Sequence, residues 1–136
     1  MKTTNYTNTF IEVADDCPVE IAEVPPVNKD AKTIANLQFE MIKNNPYKFS
    51  SDDVIFQVYA IKKEITKQEF DRERERFFSK GQACLRTSPL AKRYGWGVHS
   101  NSEGKIAIYA VDSDEYKKRA NDKKLKHLKA MRSKRV

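Results

Sequence analysis

Apolar positions along the chain follow two rhythms, and each predicts its own kind of element. Thr7–Ala14 sets Phe10, Ile11 and Val13 among polar and β-branched neighbours and predicts a strand, which Asp15-Asp16-Cys17-Pro18 ends. Val19–Lys29 contains Pro25-Pro26 and reads as an extended connector, because proline supplies no ladder donor and biases its predecessor away from helix. Its apolar members Val19, Ile21 and Val24 predict that it lies against the body. Helical spacing begins in Ala31–Asn44, where Ile34, Leu37, Met41 and Ile42 recur with Phe39 beside them; Asp30 is the expected N-cap and Asn45-Pro46 the stop. Tyr47–Ser50 then forms a turn.

Ser51–Ile65 carries both rhythms. Val54, Phe56, Val58 and Ala60 alternate as in a strand, while Val54/Ile55, Val58/Tyr59 and Lys62 suit a helix. The opening Ser51-Asp52-Asp53 offers a cap and first-turn carboxylates and favours the helix. Thr66-Lys67-Gln68-Glu69 matches a capping box for a helix over Lys67–Lys80, which Gly81 stops. Cys84–Arg93 reads as an irregular loop, Tyr94–Ser100 as a strand loosened by Gly95 and Gly97, Asn101–Gly104 as a turn and Lys105–Val111 as a strand. Asp112-Ser113 caps a short helix, Asp114–Ala120. Leu125, Leu128 and Met131 form a narrow stripe that predicts a last, basic helix over Lys123–Arg135. These elements predict a single α+β domain over residues 1–136, a small antiparallel sheet with helices packed on one face. No apolar run approaches the ~20 residues a membrane-spanning helix needs. The N-terminal MKTTNYTNTF lacks a basic-then-apolar leader pattern, so the cytoplasm is the expected location.

Charge changes this picture at one end. The net charge is +7, yet residues 117–136 alone hold ten Lys/Arg against Asp122, so residues 1–116 are close to neutral. Two cysteines, Cys17 and Cys84, and two histidines, His99 and His127, show no metal-ligand spacing, and no metal or cofactor is expected. Asp15/Asp16 and Asp52/Asp53 read as structural pairs rather than acid/base dyads.

Candidate chemistry gathers between Cys84 and Val111. Arg86, Ser88, Lys92 and Arg93 put several donors on one loop, a pattern that can hold phosphate or carboxylate, with Tyr94 or Trp96 beside them for stacking. A solvated basic loop paired to body acids explains the same residues equally well. His99 is the candidate acid/base, although no nucleophile–His–Asp order supports it. Lys123, Lys124, Lys126, Lys129, Arg132, Lys134 and Arg135 could track a phosphate backbone or an acidic partner, or could simply form a solvated face.

With TNYTNTFIEVADDCP, TIANLQFEMI, NNPYKFSSDDVIFQVYA, FFSKGQACLRTSPLAKRYGWGVHS, EGKIAIY and LKAMRSKR in view, the chain resembles, nearly end to end, a bacterial family of short proteins classed as a domain of unknown function. The resemblance brings no activity, substrate or catalytic residue. It implies that the LKAMRSKR block belongs to the family pattern. The expected function is a binding module for a phosphate-bearing partner, a nucleotide or nucleic acid. The alternatives are a small enzyme using His99 with Arg86 and Arg93 as an anion clamp, and a protein–protein interaction module.

Overall fold

A computed structural model describes residues 1–27 and 30–134. Among them are five helices and four strands in the order β1 (Thr9–Glu12), α1 (Ile34–Asn44), α2 (Ser51–Lys62), α3 (Phe70–Phe77), α4 (Pro89–Lys92), β2 (Trp96–Ser100), β3 (Ile106–Ala110), α5 (Asp114–Ala120) and β4 (Lys126–Lys129). The α+β reading holds. The strands form one sheet in the order β3-β2-β1-β4.

Two capping boxes set the first helices. Thr33, rather than Asp30, caps α1: its hydroxyl accepts from the Asn36 N–H while the Asn36 side chain accepts from the Thr33 N–H. Asn36 is buried and also donates through Nδ2 to the carbonyls of Pro25 and Pro26, at 3.1 Å each, which fastens the proline connector to the helix. Ser50 and Asp53 form the same reciprocal pair at the start of α2. Asp52, beside them, is buried and accepts from the Thr3 hydroxyl (2.6 Å), the Thr4 N–H (2.7 Å) and the Thr4 hydroxyl (2.7 Å), tying down the N-terminal arm. Residues 51–62 are therefore helical. Their alternation arises because α2 is buried on two sides: Val54 and Val58 face the main core, Phe56 and Ala60 face Phe70, Phe77 and Phe78. The Thr66–Glu69 side-chain hydrogen bond forms at 2.9 Å, but 67–69 is a turn and α3 begins only at Phe70.

The sheet has two covered faces. Ile11, Val98 and Ile108 stand side by side across β1, β2 and β3 and meet α1, α2 and α4 in the main core. On the opposite face, α5 packs through Tyr116, whose ring stands edge-on to Phe10 at 5.0 Å and whose hydroxyl accepts from the Val13 N–H at 3.0 Å. Helices thus cover both faces of the sheet, which corrects the one-faced arrangement expected from the sequence. Gly97 permits the close approach of α5. A Cβ there would stand 2.6 Å from the Tyr116 ring and 2.7 Å from the Phe10 ring.

The C-terminal region differs most from expectation. Residues 126–129 are not part of a basic helix; they form β4, which runs parallel to β1 with Ile11 beside Leu128. The sheet is therefore mixed. The Leu125 N–H donates to the Asp122 carbonyl (3.3 Å) and the Lys124 N–H to Asp122 Oδ1 (2.9 Å), which turns the chain after α5. Lys126 and Ala130 then donate to the carbonyls of Asn8 (2.9 Å) and Glu12 (2.8 Å). β1 would otherwise expose a row of unpaired backbone groups, and filling that row outweighs the local helical stripe.

The packing at Gly97 gives a direct check. Gly97→Ala should lower stability by about 1–3 kcal/mol through overpacking against two aromatic rings. An unchanged urea midpoint for this variant would contradict the described seating of α5.

Candidate functional site

The residues that the sequence picks out between Cys84 and Val111 are divided by the sheet. Arg86 lies in a short 3-10 turn, Leu85–Thr87, where its Nε donates to the Lys129 carbonyl at 2.7 Å and its own carbonyl accepts from the Met131 N–H at 2.8 Å. It fastens the C-terminal strand. Ser88 is buried; it caps α4 by accepting from the Leu90 N–H and donates to Gln38 Oε1 at 2.5 Å. Trp96 is 8% exposed, stands edge-on to Phe39 at 5.2 Å and donates through Nε1 to the Glu23 carbonyl at 2.8 Å. Tyr94 is half-buried, and its carbonyl accepts from the Glu23 N–H at 2.9 Å. Lys92 is half-buried and Arg93 exposed, both at the end of α4. These contacts hold the proline connector and the tail in place, and Trp96 offers no open face for stacking.

His99 belongs to the other side. Strand alternation turns it away from Trp96 and Val98, toward the face that α5 covers. The structure therefore does not place Arg86 and Arg93 with His99. Its arginine neighbour is Arg119, from the last turn of α5.

A cluster of four side chains forms on that face. His99 and Tyr109 sit on adjacent strands, opposite Ala107 and Gly97 respectively, so they are diagonal neighbours. Tyr47 reaches them from the end of α1, where the chain adopts a left-handed conformation (φ 59) and the Tyr47 N–H donates to the Ile106 carbonyl at 2.8 Å. The Tyr47 hydroxyl lies 2.7 Å from His99 Nδ1 and 2.7 Å from the Tyr109 hydroxyl. Arg119 stacks on the Tyr109 ring, 3.9 Å from its centroid, with one amino group 3.5 Å from the Tyr47 oxygen and another 3.2 Å from Glu115. Arg119 Nε is buried and has no partner among the described residues.

Burial and the Arg119 charge hold His99 below the usual histidine range, against the opposing pull of Asp122. Burial, reinforced by the Tyr47 hydrogen bond, pushes the Tyr109 phenol far above the usual tyrosine range. At neutral pH the imidazole is therefore uncharged and Tyr109 keeps its proton. With Tyr109 and Arg119 both donating to the Tyr47 oxygen, the Tyr47 proton goes to His99 Nδ1, which leaves Nε2 as an N–H. The opposite orientation makes Nε2 an acceptor. In both, Nε2 is the free end of a chain of hydrogen bonds, and among the described residues it has no partner.

The tail cations lie elsewhere. Lys123, Lys124, Lys126, Lys129, Arg132 and Lys134 are exposed on the turn after α5, on β4 and on the segment after it, while Arg135 lies outside the described residues. Lys129 pairs with Asp15 at 2.6 Å, and Asp16 accepts from the N–H groups of Ser133 (2.9 Å) and Lys134 (3.0 Å). The Lys129 hydrogen bond holds the Asp15 carboxyl below the usual carboxylate range, and the Lys134 N–H does the same for Asp16. The other five form no ion pair among the described residues. Nor do those residues bring together three or more His, Cys, Asp or Glu side chains fit to hold a metal ion, or include a helix long and apolar enough to cross a membrane.

Residues 1–136 match the model of DUF6157, a family of unknown function. The chain belongs to that family. No curated protein and no solved structure matches it significantly. Membership assigns no residue a role.

Tyr47, Tyr109 and Arg119 were not singled out by sequence. Tyr109 was within reach, since pairing the two strands about the Asn101–Gly104 turn puts it on the His99 face. Nothing local marks Tyr47, which follows an Asn-Pro stop.

The depressed His99 pKa has a signed consequence. The unfolded chain, titrating near pH 6.5, binds more protons than the folded one below that value. Stability should therefore rise with pH from the folded pKa of His99 up to about 6.5, and His99→Gln should lack this component. Urea midpoints measured at about pH 5 and about pH 7 check it; equal pH dependence in the two proteins would refute the assignment.

Proposed function

We propose that the protein is a binding module for a phosphate-bearing partner, a nucleic acid in preference to a free nucleotide, and that the partner lies along β4 and its flanking segments. The observation that supports this reading is the row of exposed cations at the sheet edge: Lys123, Lys124, Lys126 and Lys134 form no ion pair among the described residues, and Arg132 stands near Asp15 and Asp16 without a close ion pair to either. Separate cations on an open edge suit a polyanion that neutralises several at once and releases counterions, whereas a single phosphate needs a cradle of converging donors. Because Trp96 is buried, recognition would run through backbone phosphates rather than base stacking and would discriminate sequence weakly. A cytoplasmic location agrees with such a partner.

The second reading is a small enzyme with His99 as acid/base. The hydrogen-bonded chain Tyr109–Tyr47–His99 favours it, and Arg119, not Arg86 or Arg93, would be the cation beside the site.

Anisotropy of labelled single-stranded RNA and DNA, titrated with the protein over a range of salt concentrations, tests the first reading. Affinity should fall linearly with salt on logarithmic axes. Reversing Lys123, Lys124 and Lys126 to Glu together should weaken binding at least about tenfold and flatten the slope by about 2, from ~0.7 per phosphate. His99→Gln should bind as the parent does. Salt-insensitive binding, or binding untouched by the triple reversal, would sink the proposal.

A further inference from the structure

α2 borders an apolar trough that shares no lining residue with the β4 edge and that the nucleic-acid reading does not use. One cavity of about 670 Å³ is lined by Met41, Phe49, Ile61 and Phe70, with Lys48, Asp53, Gln57 and Arg74 at its polar positions. A second, of about 380 Å³, continues it past Ile65 and Lys67 and shares Gln57, Ile61 and Phe70 with the first. Together they follow α2 from Asp53 to Ile61, about 12 Å at 1.5 Å per residue, and run on past its end to Glu64. Ile61 is 46% exposed on this surface, a large aliphatic side chain that packing alone leaves open to water.

Charged groups stand at both ends: Glu64 and Lys67, one of each sign, line the second cavity, and Lys48, Asp53 and Arg74 line the first. Arg74 is already satisfied by Asp53 at 2.9 Å, a pair in which both side chains are partly buried. The Ser50 N–H and Arg74 together hold the Asp53 carboxyl below the usual range despite the opposing effect of its burial, so the pair stays ionised at neutral pH. Lys48 has no carboxylate partner among the described residues; its ammonium stands over the Phe49 ring, 5.5 Å from the centroid. The trough therefore combines an elongated apolar wall with one net positive charge at its mouth. Its volume falls in the range of small-molecule pockets, in which apolar walls supply affinity and a few polar groups fix orientation.

We propose that this trough binds an amphipathic monoanion, a medium-chain carboxylate, with the chain along Met41, Phe49, Ile61 and Phe70 and the carboxylate at Lys48. The inference is independent of the function proposed for the basic edge. Dodecanoate is the probe, titrated into the full chain by calorimetry below its micellar concentration, with dodecyltrimethylammonium as the cationic counterpart. The expected result is saturable binding of one dodecanoate per chain and at least tenfold weaker binding of the cation. Ile61→Glu puts a carboxylate on the wall at an exposed position, and Lys48→Glu reverses the charge at the mouth; each should cut dodecanoate affinity at least tenfold. Absence of uptake, equal binding of the two amphiphiles, or dodecanoate binding unaltered by both variants would overturn the proposal. So would a dimer that Ile61→Glu dissociates while dodecanoate fails to bind, which would give the trough to a second copy of the chain.

Discussion

Four residues, Thr9–Glu12, bear constraints on every side. Their backbone pairs with β2 along one edge and with β4 along the other, Ile11 enters the main core, and Phe10 meets Tyr116 on the opposite face. An inner strand has no water to satisfy its donors and acceptors, so both neighbours are obligatory. Much of the remaining architecture follows. The tail must become β4, Arg86 and Asp15-Asp16 must hold the tail and the segment after it in place, and Gly97 must lack a side chain so that Tyr116 can reach Phe10.

This constraint also separates the chemistry. The sheet puts the buried indole of Trp96 and the capping hydroxyl of Ser88 in the helical layer, and the titratable rings of Tyr47, His99 and Tyr109 in the layer closed by α5. One short stretch of chain carrying both cations and a histidine thus delivers them to different surfaces. Arg119 takes the place that Arg86 and Arg93 would have filled, and its charge is one reason that His99 is neutral. The stacked guanidinium and the two phenols leave the proton two arrangements along the chain, which is a property of three distant segments acting together.

Where sequence and structure agree, the information is local. The Asn101–Gly104 turn, the β2–β3 hairpin and the Ser113 cap of α5 depend on residues a few positions apart. The start of α1 was misread because its box uses Asn36, where the usual pattern has Glu or Gln at that position. The two rhythms of α2 are both real, one for each of the surfaces it buries. The tail failed as a helix because Leu128 is recruited by β1, while Met131 remains 47% exposed and never joins a buried stripe. The His99 cluster was legible only in part: the partners of the Tyr47 hydroxyl lie 52, 62 and 72 residues away, beyond any local pattern.

The parallel pairing of Ile11 with Leu128 carries a consequence for how the molecule is made. As the chain leaves the ribosome, β1 emerges about eighty residues before β2 and more than a hundred before β4, so neither of its edges is paired while the helices between them are made, and the β4 edge is closed last. Such an edge is open to pairing with other chains, and closing it requires a contact of very high sequence separation, which is slow to form. A ribosome stalled before Lys126 would present an adhesive intermediate to the chaperones around it.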